Sequence, residues 1–253
     1  MVARTPSKIK KNILCLVQAR MGSSRLPGKV MTTINGKPMI GIMMESLRRS
    51  KIINKSLVAT SRNTKDNVLV NYLKKNKISY YRGSEDDVLG RFYHAAKKGK
   101  ADLVIRITAD CPLIDPEIVD KVIERTITHD LDYCSNVEIR TFPRGYDVEV
   151  LTFDVLSKIH KKTKDSDDRE HVTLYINRHP NLFKIENVQA PKNMQHPEWR
   201  VCVDTKEDLR LIKEIFRYYK KKKAIKYNDI VKLFLKHPKL AKINEKVKQK
   251  MAH

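Results

Sequence analysis

The stretch ILCLVQARMGSSRLPGKV, residues 13–30, joins a short apolar run to a turn that is rich in glycine, serine, proline and cations. A run of β-prone apolar residues ending in such a turn predicts a buried strand followed by a loop. In α/β sheets, ligands bind at the carboxyl ends of the strands, and the loop after the first strand commonly holds phosphate. We therefore expect residues 18–29 to form a phosphate-binding loop.

Helix and strand patterns alternate along the first half of the chain. Strands are expected at residues 13–17, 56–61, 78–83 and 102–110, and helices at 39–47, 66–76 and 86–98. Strands separated by single helices form βαβ units, in which the strands run parallel. The sequence therefore predicts an α/β fold with a mostly parallel sheet flanked by helices.

The pattern is looser after about residue 130. Strands are expected at 146–151 and 200–204, a helix at 206–219, and either a strand or a helix at 169–179. The C-terminal part is strongly basic, but its apolar residues recur at helical spacing. We therefore expect two short helices there, separated near His237 and Pro238, rather than a disordered tail.

The composition restricts the classes of function. The 253 residues carry a formal net charge of +23, which favours anionic partners such as nucleotides, nucleic acid or acidic surfaces. A lysine-rich solvated surface also accounts for much of this charge. No apolar run approaches the ~20 residues of a membrane-spanning helix, and the four scattered cysteines match neither a zinc site nor a disulfide framework. These features indicate a cytoplasmic protein with reduced thiols.

The turn after the first strand matches neither of two common phosphate-binding motifs. A Walker A loop requires G-x-x-x-x-G-K-[ST], whereas here five residues separate Gly22 from Gly28 and a valine follows Lys29. The dinucleotide motif G-x-G-x-x-G is absent as well. The sequence therefore disfavours both a kinase-type nucleotide site and a dinucleotide site.

The same turn nevertheless offers the groups that bind a polyphosphate, namely backbone and hydroxyl donors together with positive charges. The donors are Gly22, Ser23 and Ser24, and the cations are Arg20, Arg25 and Lys29. The alternative is a tight surface turn whose cations are solvated.

Two aspartates follow expected strands. Asp110 ends the strand at 102–110 and Asp204 ends RVCVD. Two acids at the tips of parallel strands can converge on one Mg²⁺, which takes oxygen ligands and shares them with substrate phosphates. Each aspartate could instead cap the helix that follows it.

Several segments together resemble one known family. ARMGSSRLPGKV followed by INGKPMI resembles the signature of the sugar-activating cytidylyltransferases, which include CMP-Kdo and CMP-sialate synthetases, and most closely the spore coat polysaccharide biosynthesis protein F branch. Further matching segments occur in the same order as in that branch. They are GSEDDVLGRFYHAA, RITADCPLID, NVEIRTFPRGYDVEVLTFDVL, DREHVTLYI and EWRVCVDTKEDLRLI. The resemblance extends from about residue 12 to the C-terminus.

The resemblance implies a fold, a reaction and a cofactor. The fold is the Rossmann-like, GT-A-like fold of nucleotide-diphospho-sugar transferases, over residues 12–223, with an acceptor-binding and dimerisation subregion at about 135–190. Residues 1–11 are then a basic tail and 224–253 a basic helical extension. The implied reaction is Mg²⁺-dependent transfer of CMP from CTP to an acidic or otherwise modified sugar, with release of pyrophosphate, by a homodimer that makes surface polysaccharide or glycan.

The resemblance also implies roles for individual residues. Asp110 and Asp204 are the implied metal ligands and, with Arg20 and Lys29, the catalytic residues. The implied nucleotide-binding residues are Gln18, Ala19, Arg20, Gly22, Ser23, Ser24, Arg25, Lys29, Ser84, Asp86, Asp87 and Thr108. The implied acceptor-binding residues are Arg144, Asp147, Glu149, Arg169 and His171, although these could equally form surface salt bridges, and a lone histidine is more often structural.

Two alternatives remain open. The enzyme could transfer a nucleotide from another triphosphate, or to a sugar phosphate. A protein that binds single-stranded nucleic acid is a different class, suggested by the net charge and by RYYKKKKAIKY, where aromatic residues alternate with cations. This class is disfavoured because it leaves the turn and the two aspartates unexplained.

Overall fold

A seven-stranded sheet lies at the centre of the computed structural model, which describes residues 11–249. The strands are β1 (Ile13–Gln18), β2 (Thr33–Ile34), β3 (Lys37–Pro38), β4 (Lys55–Ser61), β5 (Tyr80–Gly83), β6 (Leu103–Thr108), β7 (Tyr133–Ser135), β8 (Glu149–Thr152) and β9 (Ile185–Asn187). The α-helices are α1 (Met39–Leu47), α2 (Asn67–Lys75), α3 (Val88–Lys98), α4 (Pro116–Thr128), α5 (Phe153–Lys162), α6 (Ser166–Glu170), α7 (Leu174–Arg178), α8 (Lys206–Tyr218), α9 (Tyr227–Lys236) and α10 (Pro238–Ala241).

The sheet is mostly parallel, as the sequence predicts. Its strand order is β5-β4-β1-β6-β8-β7-β9, and β2 pairs with β3 in a separate small hairpin. The first four strands of the order are parallel, whereas β8 runs antiparallel to both β6 and β7. The carboxyl ends of β1 and β6 therefore lie side by side at one edge of the sheet.

Helices cover both faces of the sheet. Ile13, Cys15 and Val17 of β1 belong to one buried cluster, whereas Leu14 and Leu16 belong to a second cluster on the opposite face. Side chains alternate between the two faces of a strand, so an unbroken apolar run is what a strand buried on both sides requires. This packing explains why ILCLV carries no polar residue.

The expected strand at 200–204 is wrong. Only an isolated bridge between Arg144 and Arg200 forms there. The carboxylate of Asp208 accepts hydrogen bonds from the backbone N–H groups of Asp204 (2.9 Å) and Thr205 (3.0 Å), which turns the chain into α8 before a strand can continue. Asp204 therefore does not end a parallel strand. Its segment still lies beside the end of β6, because Val203 N–H donates to the Asp110 carbonyl at 2.8 Å.

The structure also gives the secondary structure of two other segments in the second half of the chain. Residues 169–179 form parts of the short helices α6 and α7 rather than a strand, and the strand expected at 146–151 is limited to β8. The two C-terminal helices are confirmed as α9 and α10, with His237 between them. Of the basic tail expected at residues 1–11, only Lys11 lies within the described residues.

The helices described between residues 11 and 249 include no candidate membrane span. None of them combines the length with the apolar character that a membrane-crossing segment needs.

Candidate active site

The loop after β1 is held in place by a buried aspartate. The Asp66 carboxylate accepts hydrogen bonds from Met21 N–H (2.7 Å), Thr60 Oγ1 (2.9 Å) and both the N–H and the hydroxyl of Ser61. These bonds tie the loop to the end of β4, and they lower the pKa of Asp66 although burial alone would raise it. Asp66 thus fixes the loop whose donors face the cavity described below.

A left-handed glycine ends the loop and directs the next side chain. Gly28 has φ +70°, a conformation that L side chains rarely adopt. Its N–H donates to the Met21 carbonyl at 2.9 Å, which closes the turn. Lys29 follows at the start of a single 3-10 turn, and its side chain extends toward the end of β6.

The Lys29 ammonium joins the two aspartates that the sequence singles out. Its Nζ lies 2.9 Å from Asp110 Oδ2, 2.7 Å from Asp204 Oδ1 and 2.9 Å from the Val203 carbonyl oxygen. Asp110 and Asp204 therefore converge on one position, although they belong to segments of different kinds. This convergence is the central geometric feature of the site.

Mutual attraction keeps Lys29 and Asp110 charged. Burial alone would lower the pKa of Lys29, but the two carboxylates outweigh it and raise that pKa above its ordinary value. Burial would raise the pKa of Asp110, but the Lys29 ammonium and a 2.6 Å hydrogen bond from Thr108 Oγ1 hold it below its usual range. Both groups are ionised at neutral pH.

Two arginines also contact Asp204. Arg25 Nη2 lies 2.9 Å from Asp204 Oδ2, and the Arg200 guanidinium donates to the same oxygen. Arg200 Nε further donates to the fully buried Asp208 carboxylate at 3.0 Å. The position of Asp204 is therefore set by a buried network that begins in α8.

The carboxylates of Asp110 and Asp204 fit a hard divalent cation that also binds oxygens of the substrate. Two carboxylates already place their oxygens around one cationic group, the Lys29 ammonium, and carboxylate oxygens are the ligands that Mg²⁺ prefers. Within residues 11–249, no cluster of three or more His, Cys, Asp or Glu side chains is arranged to hold a metal ion. Such an ion would therefore need oxygens from the substrate, as Mg²⁺ in nucleotide-binding sites commonly does.

A cavity of about 390 Å³ opens above the loop and the carboxylates. It is lined by most of the residues expected to bind a nucleotide, and also by Glu170 and His171. The expected residues in its wall are Gln18, Ala19, Arg20, Gly22, Ser23, Ser24, Arg25, Lys29, Thr108, Asp110 and Asp204. We call this space the nucleotide cavity.

Three expected nucleotide-binding residues lie outside that wall. Ser84, Asp86 and Asp87 precede α3, where Asp87 caps the helix by accepting a hydrogen bond from Gly90 N–H at 2.7 Å. Asp87 also pairs with Arg169, whose Nη1 donates to the His160 carbonyl at 3.0 Å. These contacts link α3 to α5 and α6.

A second cavity, also of about 390 Å³, borders the same two carboxylates. It shares Thr108, Asp110 and Asp204 with the nucleotide cavity. Its other lining residues are Arg106, Cys111, Val137, Arg140, Arg144, Gly145, Asp147, Glu149, Cys202 and Gln249. We call it the acceptor cavity.

The structure brings only some of the expected acceptor residues to this cavity. Arg144, Asp147 and Glu149 line it, whereas His171 lines the nucleotide cavity and Arg169 lines neither. Arg140 forms a two-point ion pair with Asp147, with distances of 2.7 and 2.9 Å. Asp147 therefore holds a neighbouring cation in the cavity wall.

Glu149 holds Arg106 in the same way. Its carboxylate pairs with the Arg106 guanidinium and accepts hydrogen bonds from Tyr133 OH (2.8 Å) and Thr173 Oγ1 (2.6 Å). Burial alone would raise the pKa of Glu149, but Arg106 and these hydroxyls hold it below its usual range. Glu149 is thus an ionised, buried partner that orients an arginine of the cavity.

Replacing Glu149 with Gln should reduce stability in a pH-dependent way. The free energy of unfolding should fall by about 2 kcal/mol at pH 7, because the partly buried Arg106 loses its anionic partner. A depressed pKa stabilises the fold above the ordinary glutamate pKa of about 4.3, and this contribution is lost as the pH falls through the folded value. Urea unfolding at pH 7 and below pH 4 should show the difference between the two proteins shrinking in acid. A constant difference would contradict this account.

Several site residues are not identified from the sequence. Arg106 is the charged residue inside the otherwise apolar strand LVIRIT, and that interruption is a usable signal. Such a signal is lacking for Asp66, Arg140, Glu170, Arg200 and Gln249, because each is an ordinary charged or polar residue that no motif marks. Only the tertiary contacts bring them to the site.

A mostly parallel sheet, a cationic loop after its first strand and two convergent carboxylates define a nucleotidyltransferase. The chain belongs to the cytidylyltransferase family, whose model matches residues 14–247. The match covers nearly all the described residues, and every residue lining the two cavities except Gln249 falls within it. The enzyme is therefore a CTP-dependent nucleotidyltransferase.

Individual proteins agree with this assignment. The chain is 32% identical over 235 residues to the spore coat polysaccharide biosynthesis protein SpsF of Bacillus subtilis, covering 91% of this chain and 97% of SpsF. A solved cytidylyltransferase from Leptospira borgpetersenii superposes with a TM-score of 0.87 at 31% identity, over 96% of this chain and all of that one. A CMP:2-keto-3-deoxy-manno-octonic acid synthetase complexed with CTP superposes with a TM-score of 0.62 at 19% identity, over 82% and 99% of the two chains, and supports the fold alone.

Proposed function

We propose that the enzyme transfers CMP from CTP to an acidic or otherwise modified sugar and releases pyrophosphate. One observation carries this proposal: two cavities of equal size share the carboxylates of Asp110 and Asp204. A nucleotide in one cavity and an acceptor in the other would meet at these carboxylates. The relative SpsF, named for spore coat polysaccharide biosynthesis, supports a sugar as the acceptor.

The nucleotide cavity suits a triphosphate. Arg20, Arg25 and Lys29 line it and would hold the β- and γ-phosphates while pyrophosphate departs. Each of these cations now contacts a carboxylate of the protein. The anionic phosphates of CTP would replace these carboxylates as their partners, so that charge stays neutralised throughout the transfer.

The acceptor cavity suits an anionic sugar. Arg106 and Arg140 are each paired with a carboxylate, whereas the side chain of Arg144 makes no hydrogen bond or ion pair with any other residue between 11 and 249. Burial and the neighbouring Arg140 lower the pKa of Arg144, as expected of a cation that faces another cation. Arg144 would bind the carboxylate or phosphate of the acceptor.

The reaction needs no covalent enzyme intermediate. An oxygen of the acceptor attacks the α-phosphorus of CTP, a new P–O bond forms, and the bond to pyrophosphate breaks. Asp110 and Asp204 would hold Mg²⁺, which supplies neutralisation of phosphate charge and a lower pKa for the attacking hydroxyl. Thr108 holds Asp110 in place through its hydrogen bond.

A pyrophosphate-release assay tests this function. The enzyme with Mg²⁺, CTP and a panel of acidic sugars should release pyrophosphate, and mass spectrometry should detect the CMP-sugar. Turnover with UTP or GTP while CTP is inert would overturn the cytidine assignment, and turnover only with sugar phosphates would favour the alternative acceptor. Tight, steeply salt-dependent binding of single-stranded nucleic acid without pyrophosphate release would favour the nucleic-acid-binding class.

The proposed reaction also suggests where the enzyme acts, in what oligomeric state and for which product. We expect the enzyme to act in the cytoplasm as a homodimer and to serve surface polysaccharide or glycan biosynthesis. Residues 12–223 would form the nucleotidyltransferase domain, with 135–190 as its acceptor-binding and dimerisation part. Size-exclusion chromatography with light scattering tests the dimer.

A further inference from the structure

The segment after α10 returns to the active site. We call residues 243–249 the C-terminal arm. Asn244, which is only 3% exposed, donates from Nδ2 to the Arg200 carbonyl (3.0 Å) and to Asp208 Oδ1 (2.7 Å). Ile243 packs against the main core. The arm is therefore fastened to the same buried network that holds Asp204.

The end of the arm reaches both sides of Asp204. Arg25, which pairs with Asp204, donates to the Lys248 carbonyl at 3.3 Å. Gln249 Oε1 accepts a 2.6 Å hydrogen bond from Arg200 Nη1, and Arg200 also pairs with Asp204. The arm thus contacts Arg25, a cation of the nucleotide cavity, and Arg200, a second cation that pairs with Asp204.

Gln249 also lines the acceptor cavity, together with Arg144 and Asp204. An amide beside a cation and a carboxylate offers the hydrogen bonds that a polyhydroxylated acidic sugar requires, and it adds no charge of its own. Gln249 lies 45 residues beyond Asp204, the last of the other lining residues in the sequence, and the Asn244 contacts fix the position of the arm.

We propose that the C-terminal arm is part of the acceptor site and that Gln249 is a specificity-determining residue for the sugar. The inference rests on the proposed function, since it assigns a wall of the cavity that the acceptor would occupy. It gives the C-terminal extension a role in substrate choice, beyond packing on the core.

Steady-state kinetics with the full-length enzyme test this inference. Replacing Gln249 with Ala should raise the KM for the acceptor sugar about tenfold, the loss expected for one hydrogen bond, with kcat changed by less than about threefold. The Kd for CTP, measured by calorimetry without acceptor, should be unchanged. Arg144→Ala serves as the reference for an acceptor-side loss, and Lys239→Ala, on the exposed surface of α10, is the matched basic-region control.

A second variant distinguishes a direct contact of Gln249 with the substrate from a role of Gln249 in holding Arg200 alone. Gln249→Glu retains an acceptor for the Arg200 hydrogen bond but places a negative charge in the cavity. It should raise the KM for an acidic sugar more than Gln249→Ala does. A KM within twofold of wild type in both variants overturns the inference while the function stands, as does an equal rise in the Kd for CTP. A wild-type enzyme that is inactive with CTP and all acidic sugars overturns the proposed function, and the inference falls with it.

Discussion

Asparagine in place of Asp110 or Asp204 is expected to lower turnover by about 10³-fold in each case. Both carboxylates lie within 3 Å of one ammonium group, at the boundary that the two cavities share. Asparagine keeps the shape of the side chain but removes the charge that would hold a divalent cation there. The kcat for pyrophosphate release at saturating CTP and Mg²⁺ is the measurement that checks this expectation.

A half-buried aspartate outside both cavities provides the control for these two variants. Asp120 accepts hydrogen bonds from Ser50 Oγ and Lys51 N–H, away from both cavities. Asp120→Asn should therefore retain the wild-type kcat. Circular dichroism should report an intact fold in all three variants. A wild-type rate in Asp110→Asn or Asp204→Asn would remove that residue from the active site.

Alanine in place of Asp208 is expected to destabilise the protein by about 3–5 kcal/mol. The Asp208 carboxylate is fully buried and accepts hydrogen bonds from Arg200 Nε, Asn244 Nδ2 and the backbone N–H groups of Asp204 and Thr205. Its removal leaves buried donors and a buried cation without their common acceptor. Chemical denaturation, analysed as a free energy of unfolding, measures the loss.

Glu207 is a matched control in the same first turn of α8. Its side chain is exposed. Glu207→Ala removes a carboxylate of the same charge from the same helix end, so it should cost no more than about 1 kcal/mol. Equal effects of the two substitutions would mean that helix-end charge, rather than the buried network, accounts for the role of Asp208.

The first half of the fold was accessible from the sequence because its signals are local. A strand buried on both faces needs an unbroken apolar run, and the cationic turn that follows β1 can be read directly from ARMGSSRLPGK. Most residues of that turn line the nucleotide cavity. Local patterns suffice there because strand, turn and helix follow one another within about thirty residues.

The second half depends on contacts between distant residues. RVCVD has the composition of a strand, yet Asp208 captures the backbone donors that a strand would use. Glu149 lines the acceptor cavity, and its carboxylate binds Arg106, 43 positions earlier in the chain. The spacing of apolar residues does not indicate which cation a carboxylate will pair with. These pairings therefore could not be predicted from the sequence.

One strand borders both cavities. Residues of β6 and its carboxyl end contribute to each, while β6 itself is hydrogen-bonded to β1 on one side and to β8 on the other. The two binding sites therefore share a single uninterrupted hydrogen-bonded ladder and do not belong to separate lobes. Closure of two lobes about a hinge is therefore not needed to bring the two cavities together. The distance between the two cavities is set by the sheet. Any movement during turnover would therefore occur in the loops along the edge of the sheet.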